Sequence, residues 1–325
     1  MTPAHLGLAL LIDLVWGFNA VVLKIGVDAV PPICFSALRV SLVLLLLFPF
    51  LRWKSGEMLS IAGVAVFTVA SFALSFVGFH LADASIASVL GQLNAPFATM
   101  LSIIFLKEQV GWRRWLGIAV AFGGSVYLGF DPNVVHYAAG AAFSVAAAFS
   151  SSIAQILMRR MGNVGVFELQ AWIACIAAPC LYVLSLATEN GQGAAMAHMN
   201  WLIAGSLVYN ALGASILGHG GMFFLLRRHN VSLVVSLFLL APVFAIGFGV
   251  WILHDPMTPR ILIGSAMTLI GVLIIALRQR RSPVVAIAPN PDAIEPLPVY
   301  SAEEKKRANE ALAPALIRRH DGRVP

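Results

Sequence analysis

Two ionisable side chains lie inside long apolar stretches of the sequence, where charge is costly. Asp13 falls in the stretch 6–24, and Arg39 lies near the centre of the stretch 31–51. An ionised group near the middle of a membrane helix costs on the order of 2.5–3.5 kcal/mol to insert. Each side chain must therefore face a wet cavity, find a partner or, in the case of Asp13, hold a proton. Binding of a charged substrate or coupling ion and a purely structural contact both fit this pattern.

Asp13 and Arg39 are close enough in depth to be partners. At a rise of 1.5 Å per residue, Asp13 lies roughly 10 Å into its segment and differs in depth from Arg39 by about 7–8 Å. A long arginine side chain could partly cover that difference, and we hypothesise an ion pair between the two. For Asp13, a proton- or cation-coupling site, a contact to a substrate amine and a structural contact all stay open. For Arg39, a structural anchor is favoured over a substrate site.

Uncharged polar residues recur in the same apolar stretches. Trp16 and Asn19 form a polar-aromatic interruption of the first helix. An amide buried in lipid must find a hydrogen-bond partner, either on a substrate or on another helix. His219 could titrate near neutral pH, although a packing role is favoured, and phenylalanines such as Phe76 and Phe79 could line an apolar pocket. The candidate substrate-binding or coupling residues are Asp13, Trp16, Asn19, Arg39, Gln92, Asn94, Gln155, Asn210 and His219.

The pattern of residues does not favour catalysis. Cys34, Cys175 and Cys180 lie in apolar stretches without the spacing of metal ligands, so we expect them to pack. His, Asp and Glu form no cluster at a common depth, which a membrane-embedded enzyme would need, and the sequence has no phosphate-binding loop. We therefore expect a protein that is not an enzyme and holds no metal or cofactor. A membrane-embedded enzyme and a passive channel are the alternatives.

Composition indicates that most of the chain lies in lipid. Of the 325 residues, 59% are hydrophobic and 11% are charged, whereas an ordinary soluble domain has about 25% charged residues. The net charge of +6 comes from short loops and the tail, so nucleic-acid binding is not expected. Apolar segments long enough to cross roughly 30 Å of hydrocarbon predict an all-α integral membrane protein. The ten predicted transmembrane helices are 6–24, 31–51, 59–79, 84–106, 112–129, 137–158, 167–187, 201–224, 231–253 and 260–277.

One motif occurs twice, 146 residues apart. The sequences "LNAP" at 93–96 and "LLAP" at 239–242 precede the acids Glu108 and Asp255, respectively. Five predicted helices per copy indicate an internal duplication, and because five is odd the two copies must enter the membrane from opposite sides. Such inverted repeats are typical of alternating-access carriers. Glycines expected to allow close helix packing follow each acid by nine and sixteen residues; they are Gly117, Gly124, Gly264 and Gly271.

The duplication sets the predicted domains. The first five-helix repeat covers 6–129 and the second covers 137–278, and a proline-rich cytoplasmic tail, expected to be flexible, covers 282–325. Pro96 and Pro242, one in each copy of the motif, are expected to act as helix hinges, because proline removes a backbone donor and bends a helix.

Basic residues predict the orientation of the chain. With the N-terminus inside, the inner loops hold nine lysines and arginines, whereas the outer loops hold only Lys24 and Arg260. An even number of spans places the C-terminus on the same side, so both termini are expected in the cytoplasm. The expected partners are a small-molecule substrate and membrane lipid. Coupling to protons or another ion and assembly into a homodimer stay open.

Taken together, these residues resemble the EamA family of the drug/metabolite transporter superfamily. The resemblance rests on "WGFNAVVLK" at 16–24, on Arg39 in the second span, and on the two motif copies over 94–108 and 240–255. It implies a ten-helix inverted-repeat carrier of the bacterial inner membrane, with a substrate cavity between the halves. It favours efflux of a small metabolite or drug. Asp255 stands where the family more often has Glu.

Overall fold

The computed structural model describes residues 2–54, 56–107, 111–129, 135–159, 161, 164–229, 234 and 237–277. Within these ranges the chain is helical with short connections and has no β-strand. Glu108 and the predicted tail 282–325 lie outside the described residues. The helices are α1 (Pro3–Ala29), α2 (Pro32–Leu47), α3 (Met58–Leu81), α4 (Ala84–Gly91), α5 (Asn94–Leu106), α6 (Trp112–Gly129), α7 (Val135–Arg159), α8 (Val166–Thr188), α9 (Gln192–Ala197), α10 (Trp201–Val208), α11 (Gly220–Arg228), α12 (Leu240–Phe248) and α13 (Pro259–Leu277).

The helices have the length and composition of membrane spans. Among the described residues, eight helical stretches are long and apolar enough to cross a membrane, and Leu240–Leu253 is equally apolar but shorter. Helix α6 occupies the whole of the predicted segment 112–129. The prediction of an all-α integral membrane protein is confirmed, while the number ten and the inverted relation of the halves stay predictions. The eight stretches are Pro3–Ala29, Pro32–Phe50, Met58–Leu81, Ala84–Leu106, Ala138–Met158, Val166–Thr188, Trp201–Met222 and Pro259–Leu277.

Helices α1 and α2 are capped at their first turns by side chains. The hydroxyl of Thr2 accepts the amide of His5 at 3.3 Å, and α1 then runs unbroken through the predicted polar interruption. At the start of α2, the carboxylate of Glu189 accepts the amides of Ile33 at 2.7 Å and Cys34 at 2.9 Å. A carboxylate satisfies these otherwise unpaired donors and complements the positive end of the helix dipole. The connection after α8 thereby fixes α2.

Helices α10 and α11 belong to one continuous helix with an irregular middle. The π-helical segment Tyr209–His219 joins them, and a second such segment, Gly249–Leu253, extends α12. In a π-helix each amide reaches a carbonyl five residues back instead of four, and such segments are frequent at functional sites. The apolar pattern of 201–224 predicts the helix but carries no signal for this change of geometry.

The duplicated motif begins in the same way in both copies. A turn at Gln92–Leu93 separates α4 from α5, and α12 begins directly after a turn that includes Leu239. Pro96 and Pro242 each lie three residues after a turn leucine. The change of helix direction therefore precedes each proline by about one helical turn, and the hinge role of the prolines stays a prediction.

The ends of the two motif copies also share an unusual backbone. Lys107 has a φ of 53° and His254 has a φ of 57°, and among the described residues these are the non-glycine residues with positive φ. Each directly precedes the acid of its motif copy, Glu108 or Asp255. Left-handed backbone is uncommon outside glycine, so two occurrences at matched positions support a common origin of the two motif copies.

Helices α6 and α13 pack through a seam of small residues, which we define as Gly117, Gly124, Gly264 and Gly271. A Cβ added at Gly117 would lie 2.8 Å from the carbonyl oxygen of Gly271, and one added at Gly124 would lie 2.6 Å from the amide of Thr268. Real Cβ atoms do not come this close to backbone, so both positions require glycine. The close packing expected from the glycine spacing is confirmed.

Equivalent helices of the two predicted repeats have equivalent packing partners. Helix α3 packs on α7, while α1 packs on the helix formed by α10, the π-helical segment and α11. Helices α4 and α5 pack on α7, while α12 packs on α1. The second helices, α2 and α8, pack on each other, as do the last helices, α6 and α13. Exchanging the two repeats thus leaves the set of contacts largely unchanged.

Candidate functional site

A cavity of about 260 Å³ lies among α1, α2, α3, α4 and the π-helical segment. It contains four of the predicted site residues, from three separate helical elements: Trp16, Asn19, Arg39 and Asn210. Phe76 and Phe79, predicted as pocket residues, line it too. The remaining lining residues are Ala20, Leu23, Ser71, Phe72, Ser75 and Ser88.

Arg39 brings a positive charge to this cavity from the middle of α2. Its Nη2 donates to the hydroxyl of Ser215 at 2.9 Å, and its guanidinium lies 5.0 Å from the ring centroid of Phe72 and 5.7 Å from that of Phe76. Its Nε is buried without a hydrogen-bond partner. Among the described residues no carboxylate forms an ion pair with it.

The hypothesised ion pair between Asp13 and Arg39 is wrong. Asp13 is fully buried on a face of α1 that does not line the cavity, and no side chain donates to its carboxylate oxygens. The backbone of Ala241 on α12 faces this carboxylate. One turn further along α1, Gly17 lies against the backbone of the same helix. Depth along the helix suggested the pair, but the direction of Asp13 around the axis of α1 excludes it.

Trp16 fastens α1 to the π-helical segment. Its Nε1 donates to the carbonyl of Ala214 at 3.0 Å. The indole covers Gly218 so closely that a Cβ there would overlap it. The ring of His219 lies 5.7 Å from that of Trp16, but its Nδ1 faces backbone oxygens of its own helix, at 3.1 Å from Ala214 and 3.2 Å from Ser215. His219 does not line the cavity.

Two buried amides in the cavity have unused hydrogen-bonding capacity. The Oδ1 of Asn19 and both amide atoms of Asn210 lack partners. An unpaired polar atom in a membrane interior is costly, so a ligand that pairs with these atoms gains affinity. The other predicted amides are not among the cavity residues. Gln92 lies in the turn after α4, Asn94 begins α5, and Gln155 reaches the hydroxyl of Ser151 at 3.4 Å.

Most of the wall that α3 contributes to the cavity was not predicted, although the sequence contains a signal for it. Ser71, Phe72, Ser75, Phe76 and Phe79 are spaced so that they share one face of α3. Hydroxyls alternate with aromatic rings on that face. Isolated serines are common in membrane helices, because their hydroxyls can bond the backbone of their own helix or a neighbour, so they did not stand out. Their common face with the phenylalanines was the usable signal.

Charged side chains connect the helices at one end of the bundle. Lys24 lies 3.2 Å from the carboxylate of Asp28, and His80 lies 3.1 Å from the same oxygen. At this end Asp255 accepts the amide of Ser85 at 3.0 Å and its hydroxyl at 2.5 Å, which caps α4. A second cavity, of about 570 Å³, opens beside Asp28 and Glu189. The acid of the second motif copy is thus a structural tie to the first half.

The lining of the central cavity presents polar and aromatic groups that a small molecule could contact. It offers guanidinium and hydroxyl donors, amide oxygens as acceptors, and aromatic surface. In the part of the chain that the structure describes, no three His, Cys, Asp or Glu side chains come close enough to hold a metal ion.

Comparison with known proteins gives a matching family and a similar fold. The sequence model of the EamA-like transporter family matches the chain twice, at residues 5–130 and 138–277. A solved crystal structure with 16% sequence identity superposes with a TM-score of 0.58, covering 84% of this chain and 96% of the other. That likeness concerns the fold alone.

Named relatives are transporters. A probable amino-acid metabolite efflux pump of Escherichia coli (strain K12) is 31% identical over 279 residues, which cover 82% of this chain and 93% of the relative. A similar pump of Salmonella typhimurium is 29% identical over the same shares of the two chains. A probable terminal-alkyne amino-acid exporter of Streptantibioticus cattleyicolor is 25% identical, covering 69% of this chain and 74% of the relative.

Proposed function

Because the chain belongs to the EamA-like transporter family, we propose that it exports a small organic metabolite across the bacterial inner membrane as a secondary carrier. The observation that carries the proposal is the central cavity, which collects a cation, unpaired amides and aromatic rings in the middle of membrane-spanning helices. The relatives named as efflux pumps and exporters support the outward direction.

Transport proceeds by alternating access between two inverted five-helix halves. Inverted halves of similar structure can exchange conformations at similar energy, so that the cavity opens to one side and then to the other. The left-handed residues Lys107 and His254, the two turns before the prolines and the reciprocal helix packing support this arrangement. Both termini then lie in the cytoplasm.

Asp13 couples transport to protons. It is fully buried, and no side chain donates a hydrogen bond to its two oxygens. A carboxylate in this position is stable when it carries a proton and costly when it does not. Export that moves Asp13 between dry and wet surroundings would take up and release that proton.

The test is counterflow in proteoliposomes with a panel of amino acids and their derivatives, with and without a pH gradient. A carrier gives saturable exchange, whereas an open channel gives neither saturation nor counterflow. Asp13→Asn is expected to lose the response to the pH gradient. Asp28→Asn, on the same helix but half-exposed and beside Lys24, should keep it. Failure of every compound to show saturable counterflow would contradict the proposal.

The inverted arrangement has its own test. Single cysteines at Gly111 and Met257, in a background without the three native cysteines, report the sidedness of the two equivalent connections. Inverted halves require Gly111→Cys to react with an impermeant reagent from the inside and Met257→Cys from the outside. Labelling of both from one side would refute the arrangement.

A further inference from the structure

The charge of Arg39 lacks a counter-ion in the described part of the chain. Among the described residues, its hydrogen-bond partner is the neutral hydroxyl of Ser215, and its Nε is buried and unpaired. The guanidinium is effectively always protonated. A permanent charge among membrane helices is costly without an opposite charge or water. The charge therefore favours an anionic group in the cavity that Arg39 lines.

The surroundings of Arg39 leave its donors available to a ligand. The rings of Phe72 and Phe76, one turn apart on α3, lie beside the guanidinium and provide cation–π stabilisation without occupying its N–H groups. A guanidinium presents parallel N–H groups that match the two oxygens of a carboxylate. Arg39 is therefore arranged as a carboxylate receptor.

The same cavity offers acceptors for a positive group. The Oδ1 atoms of Asn19 and Asn210 are buried without partners, and the cavity lining contains no acidic residue. A free cation would meet the charge of Arg39 with no acid to offset it. An ammonium attached to a carboxylate avoids this, because the carboxylate faces Arg39 while the amide oxygens accept the ammonium protons.

We propose that the central cavity binds zwitterionic α-amino acids, with the substrate carboxylate on Arg39 and the substrate ammonium on the amide oxygens of Asn19 and Asn210. The phenylalanine rings and Leu23 then receive the apolar part of the substrate. The cavity volume of about 260 Å³ is below the range of roughly 300–1,000 Å³ usual for drug-sized ligands and fits a smaller molecule. This assignment rests on the proposed function, and it names the substrate class.

The experiment measures binding to the purified full-length protein in detergent, by ligand-induced thermal stabilisation. The probes are L-leucine, L-phenylalanine and L-threonine, each with its amide, which lacks the carboxylate, and its deaminated acid, which lacks the ammonium. We expect at least one amino acid to bind, with its amide weaker by about tenfold or more, because a charge-assisted contact is lost. Equal binding of an amino acid and its amide, or no carboxylate-dependent binding in any set, would overturn the assignment.

Variants separate a binding role from a structural role. Arg39→Gln should abolish the preference for the amino acid over its amide, and Arg39→Lys, which keeps the charge, should restore part of it. Asn19→Ala and Asn210→Ala should weaken binding of the amino acid without weakening the deaminated acid, and they test the site even if Arg39→Gln does not fold. Lys54→Gln, at a lysine that lies 3.9 Å from Glu168 and is not among the cavity residues, should change none of these affinities. Unchanged preference in a folded Arg39→Gln protein would refute the role of Arg39.

Counterflow distinguishes failure of this assignment from failure of the proposed function. Carboxylate-dependent binding without counterflow would remove the transport proposal and leave the binding site. Saturable counterflow restricted to compounds without a carboxylate, and unaffected by Arg39→Gln, would refute the amino-acid site and leave transport intact.

Discussion

At the scale of single residues, Trp16 joins two elements that are far apart in the sequence. Its indole N–H bonds the carbonyl of Ala214, which lies 198 residues later, and its ring fills the space above Gly218. One side of this tryptophan lines the cavity. Any change that moves the indole therefore changes both the attachment of α1 and the shape of the binding site.

Gly218→Ala is expected to destabilise the protein by about 1–3 kcal/mol, because the added methyl overlaps the indole and forces Trp16 to move. Thermal unfolding in detergent measures the loss, and counterflow should fall with it. Gly213→Ala, in the same π-helical segment, is the matched control. A Cβ there meets only the ring of Tyr209 at an ordinary 3.6 Å, so stability should hold or rise slightly through helix propensity. Equal effects of the two variants would contradict this account.

A histidine pair connects α1 to the end of α11. The Nδ1 of His5 lies 2.7 Å from the Nε2 of His229. Such a contact needs one ring to donate and the other to accept. Partial desolvation, followed by repulsion from His5 and Arg228, lowers the pKa of His229 from its usual value. Protonation of His229 would remove its acceptor.

The lowered pKa of His229 makes the stability of the folded protein depend on pH. An unfolded histidine takes up a proton below about pH 6.5, whereas the folded His229 resists doing so. Stability is therefore present above that pH and falls as the pH drops through the lowered pKa of His229. The melting temperature between pH 8 and pH 5 should fall less in His229→Gln than in the wild type. His198→Gln, at an exposed histidine, should follow the wild type; identical curves for all three proteins would exclude the effect.

Sequence reasoning located the cavity residues better than their partners. Trp16, Asn19, Arg39 and Asn210 stand out because polar groups are rare in apolar helices, and the structure brings them together. The partner assigned to Arg39 was wrong, since depth in a helix is readable from sequence but rotation about its axis relative to another helix depends on tertiary packing. Asp13 faces α12 for that reason.

At the scale of elements, the seam between α6 and α13 brings the backbones of two helices into contact. Its glycines were identifiable from their repeated spacing after the two acids. The sequence did not predict that these glycines face the helix of the other motif copy, because spacing within one helix does not identify the helix that packs against it. The π-helical segments were also beyond prediction, since an apolar run reads the same in either helix type.

Gly124→Ala is expected to cost about 1–3 kcal/mol of stability, because its Cβ would lie 2.6 Å from the amide of Thr268 and 2.7 Å from the carbonyl of Gly264. The backbone cannot yield as a flexible side chain would. Gly123→Ala is the control on the neighbouring position, where the nearest atom is the methyl of Met267 at 3.8 Å. Thermal unfolding should show a loss for Gly124→Ala only; comparable losses would argue against a backbone-to-backbone seam.

At the scale of the whole molecule, one end of the bundle is closed by contacts between the halves. Asp255 from the second motif copy caps α4 through Ser85, while Glu189 caps α2. The central cavity approaches this end, since Leu23 and Ser88 lie in its lining. Under the proposed orientation this end faces outward, and the contacts of Asp255 must break when the cavity opens there.

Asp255→Ala is expected to expose the cavity from this end. Loss of two charge-assisted hydrogen bonds shifts the balance toward the open form by about tenfold or more. A cysteine at Ser88 reports the change through its rate of reaction with an impermeant thiol reagent. Ser85→Ala removes only the hydroxyl donor and should give a smaller increase. An unchanged rate in Asp255→Ala would show that this contact does not hold the cavity closed.

Composition predicted the class of molecule, and the repeated sequence motif predicted an internal duplication. Apolar segments of span length suffice for an all-α membrane protein, because lipid leaves helices few alternatives. The packing of α1 and α3 against helices of the other copy could not be predicted, because it depends on how the whole chain assembles.

The glycine seam restricts how such a molecule can move. Where two backbones already touch, as at Gly117 and Gly271, compression would make their atoms overlap and separation would lose the contact. If the halves move as proposed, the line between α6 and α13 is therefore the pivot, and displacement grows with distance from it.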